Sequence, residues 1–594
     1  MVIGGTTKND YSPVYWQIYE VTGIGKGQPV QIRKLLQPAD TNNVSPFYGT
    51  DDRILFTSDR PRNGSRLLYP QLDEYESTAI VTGIWSMLPN GTGLRLLDHT
   101  PSGAFTPSIA SDGRIIYTRW DHLQRDQQNN EGTLSYGAFN FLSEASTQKL
   151  TTNTEIFPEL RTQPSGSYYH GHRMNVFFPW QINEDGTGIE TLNHIGRHEL
   201  SGYFDSSHNG LPEFIAPTGR RITDLFLQIK ESPTRPGYFF GIKAPEFATH
   251  AAGQIIGLNG LATVNADTMQ VDYVGNPLSA TYTEDGVTPP ANFPGHFRNP
   301  TPLSNGLLIA VRATSPYADR RTGGPLSSRY NFHLVQMIAG VPYWTPTAPI
   351  LPAITKTISY WDNQSYKQLS YTGRLWELDP IEVRARTRPA RHTTPVPAIE
   401  TQILEQELGG LAGVQQMRTF LAARKLALVV SRNVTRRGDR QQDFNLKITG
   451  SSTQTALPGT TPVEISHLQF FQGDLLRGYT TISPGRRVLG KVMHNGLLPP
   501  LPAGPAGSVK LGPDGSMAAF VPAERALSWQ LTTPTGTPII RERYWVTFAP
   551  GEIRVCANCH GVNTKDTVLG QPEPTNPPQA LRTLLRWYRA TYVP

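Results

Sequence analysis

Short runs of alternating apolar and polar residues, separated by tight-turn signals, fill the first two thirds of the chain. One unit places an Asp-Gly or Asn-Gly turn, or a variant with two aspartates, between two strand-like runs. It occurs at residues 44–60, 106–119 and 301–312. Glycine after Asn or Asp supplies the positive φ angles of tight hairpins, so each unit predicts a β-hairpin.

A second unit joins an aromatic strand to a further apolar strand through an Asn/Asp-Gly-Thr-Gly turn. It occurs at residues 84–97 and 180–192, and it begins next to Trp85 and at Trp180. The spacing of these tryptophans equals about two propeller blades of some 40–50 residues each. Radial repetition of four-stranded sheets leaves only short, protected edges. We therefore predict a mainly β protein whose residues 1–385 form a propeller of about six TolB-like blades. A β-sandwich, or two stacked β domains, is the alternative.

The last third predicts a second, smaller domain of mixed, β-rich structure at residues 386–594. A basic, proline-rich passage at residues 384–397 is typical of a linker or domain boundary. Two helices are predicted beyond it. Leu411, Val414, Met417 and Leu421 form the apolar stripe of one. In the other, Asn576 caps the start, Pro577 suits the first turn, and Leu581, Leu584, Leu585 and Tyr588 form the apolar face.

The strongest chemical signal is Cys556-Ala-Asn-Cys559-His560, near the C-terminal end of the sequence. Two cysteines three positions apart with a histidine directly after the second are typical of covalent haem c attachment. Cys556 and Cys559 would form the thioethers, and His560 would be the proximal iron ligand. The chain has only two cysteines, which excludes an all-cysteine zinc ribbon. A thioredoxin-type redox pair or a plain disulfide remains as the alternative.

The sixth position of the iron is left open by the sequence. The residues printed after His560 include neither Met nor His, although electron-transfer cytochromes c usually take a methionine as second axial ligand. An upstream ligand would be Met493 or His494, with His467 and Met517 as further candidates. Without one, the iron would be five-coordinate and open to a small ligand.

Polar stretches that follow strands supply candidates for a pocket over the haem. Arg119, Asp121 and His122 come directly after a predicted strand, and His250 ends another polar stretch. Propeller function commonly lies in loops that rigid strands hold at one end. These four residues are predicted as acid, base or hydrogen-bonding groups, the alternative for each histidine being a purely structural role.

Composition narrows the classes of partner. A formal charge of +6 over 594 residues, without a concentrated basic tract, argues against nucleic acid. The sequence contains no run of about 18 apolar residues, so no membrane span is predicted. The first residues lack the apolar stretch of a signal peptide. Since haem c is attached outside the cytoplasmic membrane in bacteria, a periplasmic or extracellular location is expected, with the targeting segment removed.

Several segments resemble the α subunit of hydrazine synthase and its relatives. They are residues 54–63, 68–75, 105–107, 117–128, 375–384, 521–527 and 550–560, with Trp120-Asp-His-Leu-Gln-Arg-Asp126 the most specific. The resemblance implies a six-bladed propeller followed by a middle domain that holds one haem c. In the synthase, a tyrosine four residues after the motif histidine ligates the iron, and that histidine helps to bind zinc together with a cysteine.

Here the corresponding position is Thr564, and there is no third cysteine. We therefore expect neither the tyrosinate ligand nor the zinc site, although a tyrosine such as Tyr544 could take the first role. Hydrazine synthesis is not expected either. The predicted function is a mono-haem c redox enzyme acting on a small, nitrogenous molecule, with a redox partner protein. The alternative is a non-enzymatic electron-transfer or scaffold cytochrome with a six-coordinate haem. A homo-oligomer and a multi-subunit assembly are both compatible with the sequence.

Overall fold

The computed structural model describes most of the chain, with gaps. The described residues are 15–25, 27–37, 41–60, 82–100, 103–122, 139–141, 149–151, 175–192, 221, 223, 225–244, 249–261, 270–281, 289–314, 330–362, 367–436, 445–456, 459, 461–477, 487–501, 503–542, 545–558 and 574–593. The protein is mainly β, with 42% strand and 12% helix. The predicted class is therefore confirmed.

Four antiparallel four-stranded sheets follow one another along the N-terminal part, preceded, interrupted and followed by hairpins. The first hairpin is β1 (Tyr19–Thr22) and β2 (Gln31–Lys34). The first sheet contains β3 (Asn43–Tyr48), β4 (Ile54–Ser58), β5 (Gly83–Met87) and β6 (Arg95–Leu96). The second sheet contains β7 (Gly103–Ile109), β8 (Ile115–His122), β11 (Asn175–Ile182) and β12 (Glu190–Thr191), with the hairpin of β9 (Phe139–Phe141) and β10 (Lys149–Thr151) between β8 and β11 in the chain.

The third and fourth sheets repeat this plan. The third contains β13 (Leu227–Ser232), β14 (Arg235–Lys243), β15 (Gln254–Asn259) and β16 (Val271–Tyr273), which a 3-10 helix, Pro277–Ala280, follows. The fourth contains β17 (His296–Pro302), β18 (Leu308–Ala313), β19 (His333–Ile338) and β20 (Thr345–Pro349). A hairpin of β21 (Thr355–Asp362) and β22 (Lys367–Arg374) comes next. Because only four complete sheets fall within the described residues, the count of six blades stays a prediction.

The first strands of successive sheets lie side by side. Each has an irregularity at the same place, where a residue other than glycine has positive φ: Ser45, Thr106, Gln228 and Asn299. At each of these residues the pairing with the second strand shifts, as in a β-bulge. The recurrence of one bulge in four sheets shows that they are copies of one structural unit, as in the blades of a propeller.

The predicted turns lie where the sequence placed them. Asp112-Gly113 and Asn305-Gly306 close the hairpins between first and second strands, where both glycines have positive φ. Trp85 and Trp180 occupy equivalent third strands, β5 and β11. The prediction that they are two blades apart is wrong, because their sheets are neighbours. The long chain segment between β8 and β11, which includes the β9–β10 hairpin, is inserted within one sheet, because β8 and β11 pair directly.

Residues 379–394, which we call the strap, run across the turns of the four-stranded sheets. The Glu382 carboxylate accepts hydrogen bonds from the backbone N–H of Ser304 (3.2 Å) and from its hydroxyl (2.6 Å), in the β17–β18 turn. Arg388 pairs with Asp52 in the β3–β4 turn. His392 reaches Asn183, beyond the end of β11, at 2.9 Å. The strap overlaps the passage predicted as a linker, residues 384–397, and ties three sheets together.

The C-terminal part combines three sheets with three helices. The helices are α1 (Ala398–Leu408), α2 (Leu411–Ala423) and α3 (Gln579–Tyr592). The strands are β23 (Leu426–Asn433), β24 (Leu446–Ile448), β25 (Gln454–Thr455), β26 (Val463–Ile465), β27 (His467–Arg477), β28 (Arg487–Val492), β29 (Ser508–Lys510), β30 (Met517–Pro522), β31 (Ala526–Thr532), β32 (Pro538–Arg541) and β33 (Ile553–Asn558). The buried β23 is central: it pairs antiparallel with β30 and parallel with β33.

The two predicted helices form, with two corrections. Met417 and Leu421 are buried in α2, but Leu411 is 73% exposed because it begins the helix on the solvent side. The apolar face of α3 is buried as predicted. Asn576 does not cap that helix. Its side chain donates to the carbonyl of Arg432, and the first N–H groups of α3 donate instead to Asp514 and Ser516. The boundary at residues 385 and 386 is not tested by these contacts and stays a prediction.

A shared core joins the two parts of the chain. Phe471, Ala526 and Trp545 from the C-terminal part pack with buried residues of the first two sheets, including Tyr117 and Trp180. Among the described residues, no helix is long and apolar enough to cross a membrane.

Candidate functional site

The strand that leads into the haem motif is β33, and its last three residues are the first three of the motif. Cys556 lies opposite Ser431 in the parallel pairing with β23, and Asn558 lies opposite Asn433. Cys556 is a free, half-buried thiol. Cys559 and His560 lie outside the described residues, as do Tyr544 and Thr564. The predicted β approach to the motif is confirmed.

The two faces of the β30–β23–β33 sheet have different neighbours. Ile553 and Val555 point to the three helices, where they join a core with Leu581 and Leu585. Side chains alternate along a strand, so Glu552, Arg554 and Cys556 face the other way. At β33 this face is turned to the second sheet of the N-terminal part, because Glu552 accepts the Gly188 N–H at 3.1 Å and Arg554 reaches Glu190 at 3.3 Å. On β23 and β30 the same face packs against β27 and β31.

A charged network therefore surrounds the base of the motif. The Arg554 guanidinium contacts both the Cys556 side chain and Glu190. Glu190 also accepts from Gln181 at 2.9 Å and pairs with Arg114. Burial alone would lower the pKa of Arg554, but Glu190, Cys556 and Glu552 together raise it. The guanidinium thus stays charged although it is partly buried between the two parts of the chain.

For the Cys556 thiol, burial outweighs the effect of the neighbouring charges on the pKa. Burial raises its pKa, although the neighbouring Arg554 acts to lower it. Burial likewise raises the pKa of Glu552, while Arg554 and the backbone N–H groups of Ala549 and Gly188 oppose this. In the folded chain, Cys556 is therefore held as a thiol.

Ser431 marks the centre of this face. Its side chain is 4% exposed, and within the described part of the chain its hydroxyl has no hydrogen-bond partner. It lies between Cys556 on β33 and Met517 on β30. Neighbouring strands are about 4.8 Å apart, so Met517 lies roughly 10 Å from Cys556 on the same face.

The other candidates for a sixth ligand are spread over the C-terminal part. Met493 and Met517 are both buried in one apolar core. His467 is buried, its Nδ1 lies 2.7 Å from the Ser466 hydroxyl, and burial lowers its pKa. His494 is exposed and contacts the carbonyl of Val492. Met517 is the candidate that shares a sheet with Cys556.

Arg119 lies in the shared core. It is fully buried, its guanidinium donates to the carbonyl of Trp545, and it lies 3.7 Å from the centre of the Trp180 ring. The Asp98 carboxylate is 3.9 Å away and accepts a hydrogen bond from Tyr117 at 2.7 Å. This predicted pocket residue therefore anchors the C-terminal part to the second sheet.

The other predicted pocket residues lie at the end of β8 and in a turn of the third sheet. Asp121 and His122 end β8, where their backbones pair with Val176 and Asn175. His250 lies in the turn between β14 and β15, and its ring packs edge-on against Tyr330 (5.7 Å) and Trp376 (5.3 Å). The described contacts of Arg119 and His250 share no residue.

Arg554 and Glu190 were missed by sequence reasoning. Arg554 could have been suspected from its place two residues before Cys556, since that spacing puts both side chains on one strand face. Glu190 carried no local signal, because its sheet meets β33 only through the tertiary fold. Within the described ranges, no group of three or more His, Cys, Asp or Glu is arranged to hold a metal ion.

Comparison with known proteins shows similarity to one family over part of the chain and to solved structures, one of which is described below. Residues 505–561 match the hydrazine synthase alpha subunit middle domain. The chain is also similar to the hydrazine synthase of Kuenenia stuttgartiensis, at 9% identity and a TM-score of 0.45, covering 95% of this chain and 56% of that chain. It thus spans little more than half the length of that relative. No curated protein matches the chain. The family match, which includes Cys556 and Cys559, confirms the resemblance found in the sequence.

Proposed function

We propose that this hydrazine synthase α-like chain is a haem c protein, with its one haem held through thioethers to Cys556 and Cys559 and its iron ligated by His560. The observation that carries the proposal is the position of Cys556, a free thiol on the sheet face turned to the propeller-like part. The unpartnered, buried Ser431 hydroxyl and the charged Arg554 beside it are polar groups suited to the edge of a bound cofactor. A bound haem supplies reversible one-electron chemistry and an iron that can take a small ligand.

The residues of this chain would position such a cofactor. β23 fixes the register of Cys556, the helical core behind Ile553 and Val555 holds β33 in place, and the second sheet covers the opposite side of β33. Attachment of haem c takes place outside the cytoplasmic membrane in bacteria, so we place the protein in the periplasm or outside the cell. Zinc forms no part of the proposal.

For activity, we infer a redox enzyme that acts on a small, nitrogenous molecule at the haem face turned to the second sheet. The family name supports the substrate class, although hydrazine synthesis itself is not proposed. Asp121 and His122 remain its candidate acid and base groups, with Arg119 and His250 assigned to packing. A redox partner protein would exchange electrons with the haem.

A second candidate has a specific observation in its favour. Met517 shares the sheet face of Cys556, so its thioether would be the candidate for a second protein ligand to the iron. A six-coordinate haem of this kind would transfer electrons or support an assembly without binding a substrate.

One measurement tests the proposal and separates the candidates. The protein is produced with a haem c attachment system, and its reduced spectrum is recorded with and without carbon monoxide. Wild type is expected to bind one haem covalently, and Cys559→Ala is expected to abolish normal attachment. Native thioether spectra from Cys559→Ala would refute the assignment. A spectrum that shifts with carbon monoxide supports the enzyme. One that does not shift in wild type, but does in Met517→Leu, supports the six-coordinate candidate.

A further inference from the structure

We propose that Arg554 and Glu190 form a charge pair that sets the reduction potential of the haem attached at Cys556. The inference rests on the proposed haem binding and extends it to two residues that no sequence motif marks. Both are positioning residues, since neither is expected to bond to the cofactor.

The first step in the argument is geometric. Arg554 and Cys556 are two positions apart on β33, so their side chains lie on one face, and the guanidinium contacts the cysteine side chain. A haem joined to that sulfur would have Arg554 near its edge. The guanidinium cannot leave easily, because its side chain is only 11% exposed and Glu190 holds it at 3.3 Å.

The second step concerns charge. Ferric haem carries one more positive charge than ferrous haem, so a nearby cation favours the reduced form and raises the potential. A nearby carboxylate has the opposite effect. Charges at this half-covered interface are screened less than on an open surface. The groups that act on Arg554 directly are Glu190 and Glu552, while Arg114 and, behind it, His392 act on Glu190.

The third step explains why the pair joins two parts of the chain. Arg554 belongs to the haem-bearing strand, whereas Glu190 belongs to the last strand of the second sheet. The network that holds Glu190 extends through Arg114 to His392 in the strap. The potential of the haem therefore depends on how the second sheet docks against β33.

The test is a redox titration of the haem-loaded protein and its variants. Arg554→Gln is expected to lower the midpoint potential, and Glu190→Gln, which keeps a hydrogen-bonding oxygen, is expected to raise it. Arg554→Lys keeps the charge and should stay near the wild-type value. The double variant Arg554→Gln/Glu190→Gln should return towards it. Arg33→Gln and Glu20→Gln change the same charges in the exposed pair of the first hairpin, where the ion pair is 2.7 Å long, and should leave the potential unchanged.

Opposite shifts from the two single variants support the pair, because a general loosening of the site would move both potentials in one direction. Shifts of the same sign, or none, overturn the inference. If Arg554→Gln fails to bind haem, Glu190→Gln and Arg554→Lys still decide the matter. Failure of the proposed function is seen separately, as a wild-type protein without covalent haem.

Discussion

At the scale of single residues, a buried ion pair between Arg432 and Glu400 joins β23 to the helices. Arg432, on β23, forms two hydrogen bonds with Glu400 of α1, at 2.7 and 2.8 Å, and donates to the carbonyl of Pro574 at 3.1 Å. Glu400 is fully buried. This pair connects the central strand, the first helix and the chain that enters α3.

We expect Glu400→Gln to destabilise the protein by about 3–5 kcal/mol, because it removes the buried carboxylate that forms two hydrogen bonds with Arg432. The measurement is the midpoint of urea unfolding followed by far-ultraviolet circular dichroism. Glu20→Gln, in an exposed pair, is the matched control and should change the unfolding free energy by less than about 1 kcal/mol. Equal effects of the two variants would contradict the assigned role of Glu400.

The residue scale also shows what sequence could and could not supply about the site. Cys556, Cys559 and His560 could be predicted as haem-binding residues because haem c chemistry fixes their spacing along the chain, and this stays a prediction. Arg119 was predicted as a pocket residue because it follows an apolar run, but it lies within β8 rather than after it, and its contacts are with Trp180 and the Trp545 carbonyl. Those partners come from distant sequence, and only the packing of the second sheet against the C-terminal part brings them together.

At the scale of elements, the strap provides a paired comparison of two turn glycines. Gly113 and Gly306 have nearly the same φ, +84° and +86°. A Cβ on Gly306 would meet no atom within 4 Å, whereas one on Gly113 would overlap the carbonyl oxygen of Ala390 in the strap.

Gly306→Ala is therefore expected to cost about 1–2 kcal/mol, from the left-handed backbone alone. Gly113→Ala should cost clearly more and should also raise hydrogen exchange in residues 384–397, since the strap must move away. Urea unfolding and hydrogen exchange of the two variants side by side provide the measurement. An undisturbed strap in Gly113→Ala would show that the contact with Ala390 is dispensable.

The strap also predicts a dependence on pH. Arg114 donates to Nε2 of His392, so Nδ1 carries the proton and donates to Asn183. Burial, and then the charge of Arg114, lower the pKa of His392 below its usual 6.5. A lowered pKa means that the folded state binds the proton less readily than the unfolded state. Neutral His392 therefore contributes to the free energy of unfolding. The contribution is complete above pH 6.5 and is lost as the pH falls through the pKa of His392 in the folded state.

We expect hydrogen-exchange protection of residues 384–397, corrected for intrinsic rates, to fall between pH 7.5 and 5.5 in wild type. His392→Gln, which stays neutral, should remove most of this dependence in that range. The pKa of Glu382 is also lowered, mainly by its hydrogen bond from the Ser304 hydroxyl, but that group titrates below its usual 4.5 and so acts at lower pH. Unchanged pH dependence in His392→Gln would rule out the histidine as its source.

Elements were predictable wherever a local rule decided them. The Asp-Gly and Asn-Gly turns and the apolar face of α3 formed as expected, because turn chemistry and helical period act within a few residues. The start of α3 was misplaced, since Asp514 and Ser516, far away in sequence, supply the capping oxygens. The spacing of Trp85 and Trp180 misled for a related reason: chain length between strands does not distinguish a further sheet from an insertion.

At the scale of the whole molecule, Arg119 separates two interpretations of the second sheet. As an anchor, it should be needed for folding, so Arg119→Met is expected to cost about 3–5 kcal/mol by leaving Asp98 buried without its counter-charge. If Arg119 were a catalytic group, Arg119→Met should leave the free energy of unfolding unchanged and alter only ligand binding. Urea unfolding together with carbon monoxide titration distinguishes these results, with the exposed Arg33→Met as control.

The parallel pairing of β23 with β33 has a consequence for how the molecule is made. The two strands are separated in the chain by β24–β32, so their pairing closes a longer loop than the other strand pairings within the described residues. Closing such a loop is slow, because its entropy is lost before the contacts are gained. During synthesis, β33 therefore emerges after the strand it pairs with and joins the sheet late. If haem c is attached at Cys556 as proposed, topology favours bonding of the haem to the still unpaired segment, which then carries it into the fold.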